Sequence, residues 1–248
     1  HPEYFTLLAI DASGTLTYTT APNAHGTALI TVVLNDGGAG LQESSPETFN
    51  ITISPVNDAP VLTGDLIVSG FEDEAYVYSF NVADIDNTYG ELSFEYSTGN
   101  TALLPKSSMT LGGSDANRTL TLTPEANLSG DVPITITVTD PSGLQSTLNV
   151  TLTFQAVNDA PTVGAIADLT IDEDTTTGVI GISISDIDSD VATAVVTASS
   201  SNTALVDLAG IVIGGSGANR TITLTPIADA TGSTVITVFV DDQSGEPT

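Results

Sequence analysis

Two stretches decide the fold: G-G-S-D-A-N-R-T-L-T-L-T-P from Gly112 to Pro124, and its near copy G-G-S-G-A-N-R-T-I-T-L-T-P from Gly214 to Pro226, 102 residues later. A match of this length at one offset marks an internal repeat, and the period controls how every other motif is read. V-N-D-A-P keeps nearly the same step, at Val56–Pro60 and Val157–Pro161. So do Asp84-Ile85-Asp86 with Asp186-Ile187-Asp188, the acidic clusters Glu72–Glu74 and Asp172–Asp174, and Asp140-Pro141-Ser142-Gly143 with Asp242-Gln243-Ser244-Gly245.

The repeats set the expected domains. Residues 57–157 form one complete repeat. Residues 1–56 align with the back half of it, through Thr15-Leu16-Thr17-Tyr18, Pro22-Asn23 and a strand at Leu29–Leu34. Residues 158–248 form a third repeat that stops before its last strand. With no opening signal peptide, the chain reads as an internal piece of a larger protein.

Within the complete repeat, period-two alternation marks the strands. Tyr76, Tyr78, Phe80 and Val82 share one face. Leu92, Phe94 and Tyr96 do likewise, as do Leu120 with Leu122, then Ile134, Ile136 and Val138, then Leu148, Val150, Leu152 and Phe154. Strands near Val61–Val68 and Ser108–Leu111 bring the number to seven. Seven short strands in about 100 residues predict an all-β fold of tandem Greek-key sandwiches, immunoglobulin-like, set in an elongated row. Gly 22, Pro 12 and 5% aromatics agree with short strands and many turns.

Charge narrows the partners. With 31 acidic against 3 basic side chains the formal charge is -28, which excludes nucleic acid and anionic membrane surfaces as partners. Self-repulsion of that size calls for cations among the carboxylates. Cys is absent, so disulfides do not staple these small domains. No apolar run is long enough to span a membrane.

Laying the strands antiparallel sorts the acids by end. Asn57, Asp58, Asp84, Asp86 and Asp140 fall at the top of the complete repeat. At its bottom, Glu72, Asp73, Glu74 and Asn127 meet the next linker, Asn158-Asp159, and the top of the last repeat with Asp186, Asp188 and either Asp241 or Asp242. Calcium takes six to eight oxygen ligands, and such a junction would supply them only when two repeats are docked. The competing reading of each D-x-D pair is an Asx-turn, the Asp capping nearby amides. An EF-hand is rejected, because Tyr89 stands where that loop needs Gly and Thr197 replaces its terminal acid in the second copy.

The order of an acidic A-B loop, D-x-D, an acid in the F-G loop and an N-D linker resembles the cadherin family, and more closely the bacterial cadherin-like tandem repeats, which commonly end in V-N-D-A-P and carry a P-N-A-x-x-x-G segment. Here that segment reads Pro22-Asn23-Ala24-His25-Gly26, shortened before the Gly. The resemblance implies Ca2+ at Glu72 or Asp73, Asn158, Asp159, Asp186, Asp188 and the F-G acid, with one to three ions per junction because the linker is short. It further implies a stiff spacer in an adhesin on a bacterial surface or in the extracellular space, whose partners are neighbouring repeats of the same chain and homophilic or surface contacts. The rival reading is a carbohydrate- or ligand-binding module, but Trp is absent and the tyrosines alternate inward. An enzyme is not expected: His1 and His25 are the only histidines, and no nucleophile stands with a base. Arg118 and Arg220, at equivalent positions, are expected to make structural salt bridges or turn bonds.

Overall fold

A computed structural model describes residues 1–38, 40 and 43–244; Gly245, the end of the D-Q-S-G copy, lies outside them. Contacts divide the chain into two compact units. One comprises His1–Thr63, Asn81–Glu95 and Thr137–Thr147, the other Gly64–Phe80, Tyr96–Ile136 and Leu148–Thr248.

The first residues form two hairpins: β1 (Phe5–Ile10) with β2 (Leu16–Thr20), and β3 (Gly26–Val32) with β4 (Glu47–Ile53). The complete repeat holds β5 (Val61–Gly64), β6 (Ile67–Phe71), β7 (Tyr76–Ala83), β8 (Ser93–Thr98), β9 (Met109–Ser114), β10 (Asn117–Leu122), β11 (Gly130–Thr139) and β12 (Gln145–Gln155). They build two four-stranded sheets, ordered β5-β7-β10-β9 and β6-β12-β11-β8. This is the Greek-key arrangement of an immunoglobulin-like sandwich. The last repeat contains β13 (Thr162–Val163), β14 (Ile180–Ser185), β15 (Val195–Ser200), β16 (Ile211–Ser216), β17 (Asn219–Leu224) and β18 (Ile236–Asp241), in sheets β13-β14-β17-β16 and β15-β18.

The alternating positions bury as the pleat requires. Phe80, Val82, Leu120, Leu122, Ile134, Ile136, Val138, Val150, Leu152 and Phe154 are each at most 2% exposed. Tyr76, Phe94 and Tyr96, expected on the same inward faces, are only half-buried.

One expected strand is two. The run from Val61 to Val68 breaks after Gly64, so that β5 joins the β7 sheet while β6 crosses over to lie parallel to β12. Tyr78 explains the break. Its hydroxyl donates to the Asp65 carbonyl at 2.8 Å, and a Cβ on Gly64 would collide with that hydroxyl and crowd Phe80. Bare backbone at Gly64 lets the ring reach under the crossover.

The P-N-A segment is not short where it counts. Asn23, Asn127 and Asp229 all adopt left-handed backbone (φ 59°, 59° and 60°), and each is followed three residues on by a positive-φ glycine, Gly26, Gly130 or Gly232. The conserved geometry across the three copies is Asx-x-x-Gly, which Asn and Asp tolerate best among side-chain-bearing residues. Arg220 forms turn bonds: its guanidinium donates to the carbonyls of Gly217, Val191 and Ala194.

Candidate metal centre

The upper cluster lies wholly within the first unit. Asp84 directly follows β7, and its Oδ1 accepts the amides of Asp86 and Asn87, each at 2.9 Å. That is the Asx-turn the D-x-D spacing allows. Asp86 Oδ2 accepts the Asp58 amide at 2.8 Å, fastening the linker to the loop. Asn57 donates through Nδ2 to Asp140 Oδ2 at 2.6 Å, and Asp140 Oδ1 caps the amide of Leu144. Burial raises the Asp140 carboxyl, but the bonds from Asn57 and the turn amides outweigh it and hold Asp140 below its ordinary value. All five expected residues therefore come together.

The lower cluster lies in the second unit and repeats this geometry. Asp186 Oδ1 accepts the amides of Asp188 (3.0 Å) and Ser189 (2.8 Å). Asp188 Oδ2 accepts the Asp159 amide at 2.7 Å. Asn158 donates to Asp242 Oδ2 at 2.7 Å and receives the Ser189 hydroxyl at 3.2 Å. Asp242, rather than Asp241, is thus the F-G acid of this junction; the Asp241 carboxylate caps the Gln243 amide in its own turn. The amide of Ser244 and Asn158 lower the Asp242 carboxyl from its ordinary value.

The middle repeat contributes from below. Glu72 is 2% exposed, and its Oε1 accepts the Val157 amide at 2.8 Å. Asp73, itself in left-handed backbone, caps the Asn127 amide through Oδ1 at 2.8 Å. The Asp159 carboxyl is raised above its ordinary value, by burial first and then by the negative charges of Asp188, Asp73 and Glu72. Acids from both repeats therefore act on one linker carboxylate.

Among the described residues, no three acidic or histidine side chains stand grouped to hold an ion as they are. The donor chemistry nonetheless fits one. Asp84 Oδ2 and Asn87 Oδ1 at the upper cluster, and Asp159 Oδ2 and Asp186 Oδ2 at the lower, are buried oxygens without a hydrogen-bond partner. A buried carboxylate oxygen left unpaired costs free energy. The Asx-turn accounts for Oδ1 of Asp84 and Asp186 and leaves Oδ2 unexplained. Hard oxygens with spare lone pairs are what Ca2+ takes.

The fourth residue of each D-x-D loop was not singled out in the sequence, yet Asn87 and Ser189 both point into the clusters. Their signal was available as the polar residue closing the D-I-D-N and D-I-D-S copies. His25 borders a cleft at the upper cluster together with Pro55, Asn57, Ile85, Asp86 and Asn87.

Residues 57–153 match the family model of the bacterial Ig domain. No curated protein matches the chain. Among solved structures it is similar to protocadherin gamma B2 extracellular cadherin domains 1–5 (14% identity, 96% of this chain and 50% of that one, TM-score 0.45). It is also similar to the human desmocollin-1 ectodomain (13%, 98% and 47%, 0.39) and to the SrpA adhesin from Streptococcus sanguinis (15%, 44% and 67%, 0.32). The chain spans about half the length of the two cadherin ectodomains.

Proposed function

We propose, for a chain whose middle repeat is a bacterial Ig domain, that its repeats form a calcium-stiffened spacer in an adhesin displayed on a bacterial surface or outside the cell. The domains of this reading are residues 1–56, 57–157 and 158–248. Among the described residues, no helix is long and apolar enough to cross a membrane.

The observation that supports it is the set of buried, partnerless oxygens on Asp84, Asp159 and Asp186 at the repeat ends. Glu72, Asp73, Asn158, Asp159, Asp186, Asp188 and Asp242 would hold the ion at the lower junction; Asn57, Asp58, Asp84, Asp86, Asn87 and Asp140 would hold it at the upper. Without a cation, the charges of Asp188, Asp73 and Glu72 repel that of Asp159. The ion supplies the positive charge that reverses this, and because its ligands come from two repeats, binding favours their docked arrangement over free swivelling.

Calcium titration calorimetry with a melting scan in calcium and in EDTA tests the reading. Saturable binding and a higher Tm in calcium are expected; calcium at about 100 times its Kd would add about 2.7 kcal/mol per site. Absence of heat together with an unchanged melt would leave the acids as turn caps and refute the calcium role.

A further inference from the structure

Alternation along β17 puts Arg220, Ile222 and Leu224 on one side of the strand, and Ile222 there is 3% exposed in the core. A guanidinium therefore takes a position that the pattern reserves for an apolar side chain. It lies across the ladder from Ile182 of β14, near the end of that strand from which the D-I-D-S loop departs. A charge drawn inward costs free energy unless its donors are met. Backbone meets them. Nε donates to the Gly217 carbonyl at 3.0 Å, and one terminal nitrogen, Nη2, donates to the carbonyls of Val191 at 3.1 Å and Ala194 at 3.0 Å.

Those two loop carbonyls bracket a turn that Asp190 builds. Its Oδ1 accepts the Ala192 amide at 2.9 Å, and its carbonyl accepts the amide and the hydroxyl of Thr193 at 2.9 and 2.8 Å. Directly before it in the chain is the turn in which Asp186 Oδ1 accepts the amides of Asp188 and Ser189. The two turns run in series. Strand β14 anchors the first at its start, and Arg220 anchors the second to β17, so the acids between these anchors have little freedom to move.

We propose that Arg220 is a positioning residue for calcium at the lower junction. Its three bonds hold the loop so that Asp188 reaches the Asp159 amide and Asp186 keeps its partnerless Oδ2 buried. The inference rests on the calcium role proposed for that junction. Planarity is what Arg220 contributes. The Nε bond to Gly217 sets the plane in which Nη2 meets both loop carbonyls, and a lysine ammonium has no such plane. Linkage makes the effect reciprocal: a clamp that favours calcium is itself favoured by calcium.

Two variants of the full chain test this, Arg220→Lys, which keeps the charge, and Arg220→Gln, which removes it. In EDTA, hydrogen exchange at the Asp188 and Ser189 amides should quicken at least about fivefold in both, with exchange in β7 and β11 unchanged. In calcium, calorimetry should show the affinity of one site lowered at least about fivefold in both. A lysine variant equal to wild type in either measurement would reduce Arg220 to its charge and overturn the proposal. The wild-type chain supplies a check that needs no variant to fold. Saturating calcium should slow exchange of the Arg220 Nε proton at least about fivefold, and an unchanged rate would overturn the proposal. A wild type that takes up no calcium would remove the site and this inference with it, whereas uptake with unaltered loop exchange in Arg220→Lys would overturn this inference alone.

Discussion

At the residue scale, the two oxygens of one carboxylate differ: one makes a turn, and the other is the ligand that the proposed calcium site would use. Asp186 spends Oδ1 on two amides, while Oδ2 is buried without a partner. Asp186→Asn keeps an acceptor for the turn and removes the charge. Calcium affinity, read by calorimetry, is expected to fall at least about tenfold with the EDTA melt no lower than wild type; unchanged affinity would show that Oδ2 is not a ligand. Tyr78 makes a different prediction. Burial, then the charges of Asp65 and Tyr76, push its phenol up to about 12 from an ordinary 10.0. A folded pKa above the unfolded one gives stability that is complete below pH 10 and lost as pH rises through about 12. Tyr78→Phe gives up one hydrogen bond, about 1 kcal/mol at neutral pH, so its stability deficit in urea unfolding should shrink between about pH 10 and 12. A deficit constant across that window would contradict the assignment.

At the element scale, what the sequence revealed was what a strand carries in itself. Alternation from Tyr78 to Val82 and from Leu148 to Phe154 marks inward faces before any partner is known. The break after Gly64 was illegible, because it depends on which sheet each half joins and on Tyr78 reaching across. Gly64→Ala is expected to cost about 1–3 kcal/mol through overpacking against Tyr78, seen as a lowered Tm; an unaffected melt would mean the crossover yields freely. The candidate site was legible for the same kind of reason and failed at the same kind of place. Repeated acids at one period point to an end of the fold and set Asp242 against Asp140, but the neighbouring Asp241 offers the same carboxylate, and only the direction each side chain takes from the strand end separates them. That direction takes Asp242 to the linker asparagine. Glu72, read as a ligand, also ties down the Val157 amide, a role that needs the position of a backbone 85 residues away.

At the scale of the whole molecule, the charge of -28 acts everywhere, whereas the clusters act at two places. Monovalent salt screens the diffuse repulsion, since the Debye length shrinks from about 10 Å at 0.1 M to about 3 Å at 1 M. In EDTA, sodium chloride should therefore raise Tm modestly, and calcium at matched ionic strength should raise it further; equal effects would reduce the clusters to general electrostatics. The crossover of β6 onto β12 has a mechanical side. The two strands run parallel over Ile67–Phe71 and Thr151–Gln155, extended at either end by Thr151 N to Leu66 O and Glu72 N to Gln155 O. Tension along the backbone enters β6 at its amino end and leaves β12 at its carboxyl end, so it loads the pair in shear and all the bonds resist together instead of unzipping in turn. Single-molecule pulling should find the middle repeat yielding at a lower force once substitutions in β6 weaken this pair; an unchanged force would show that the pair carries no load.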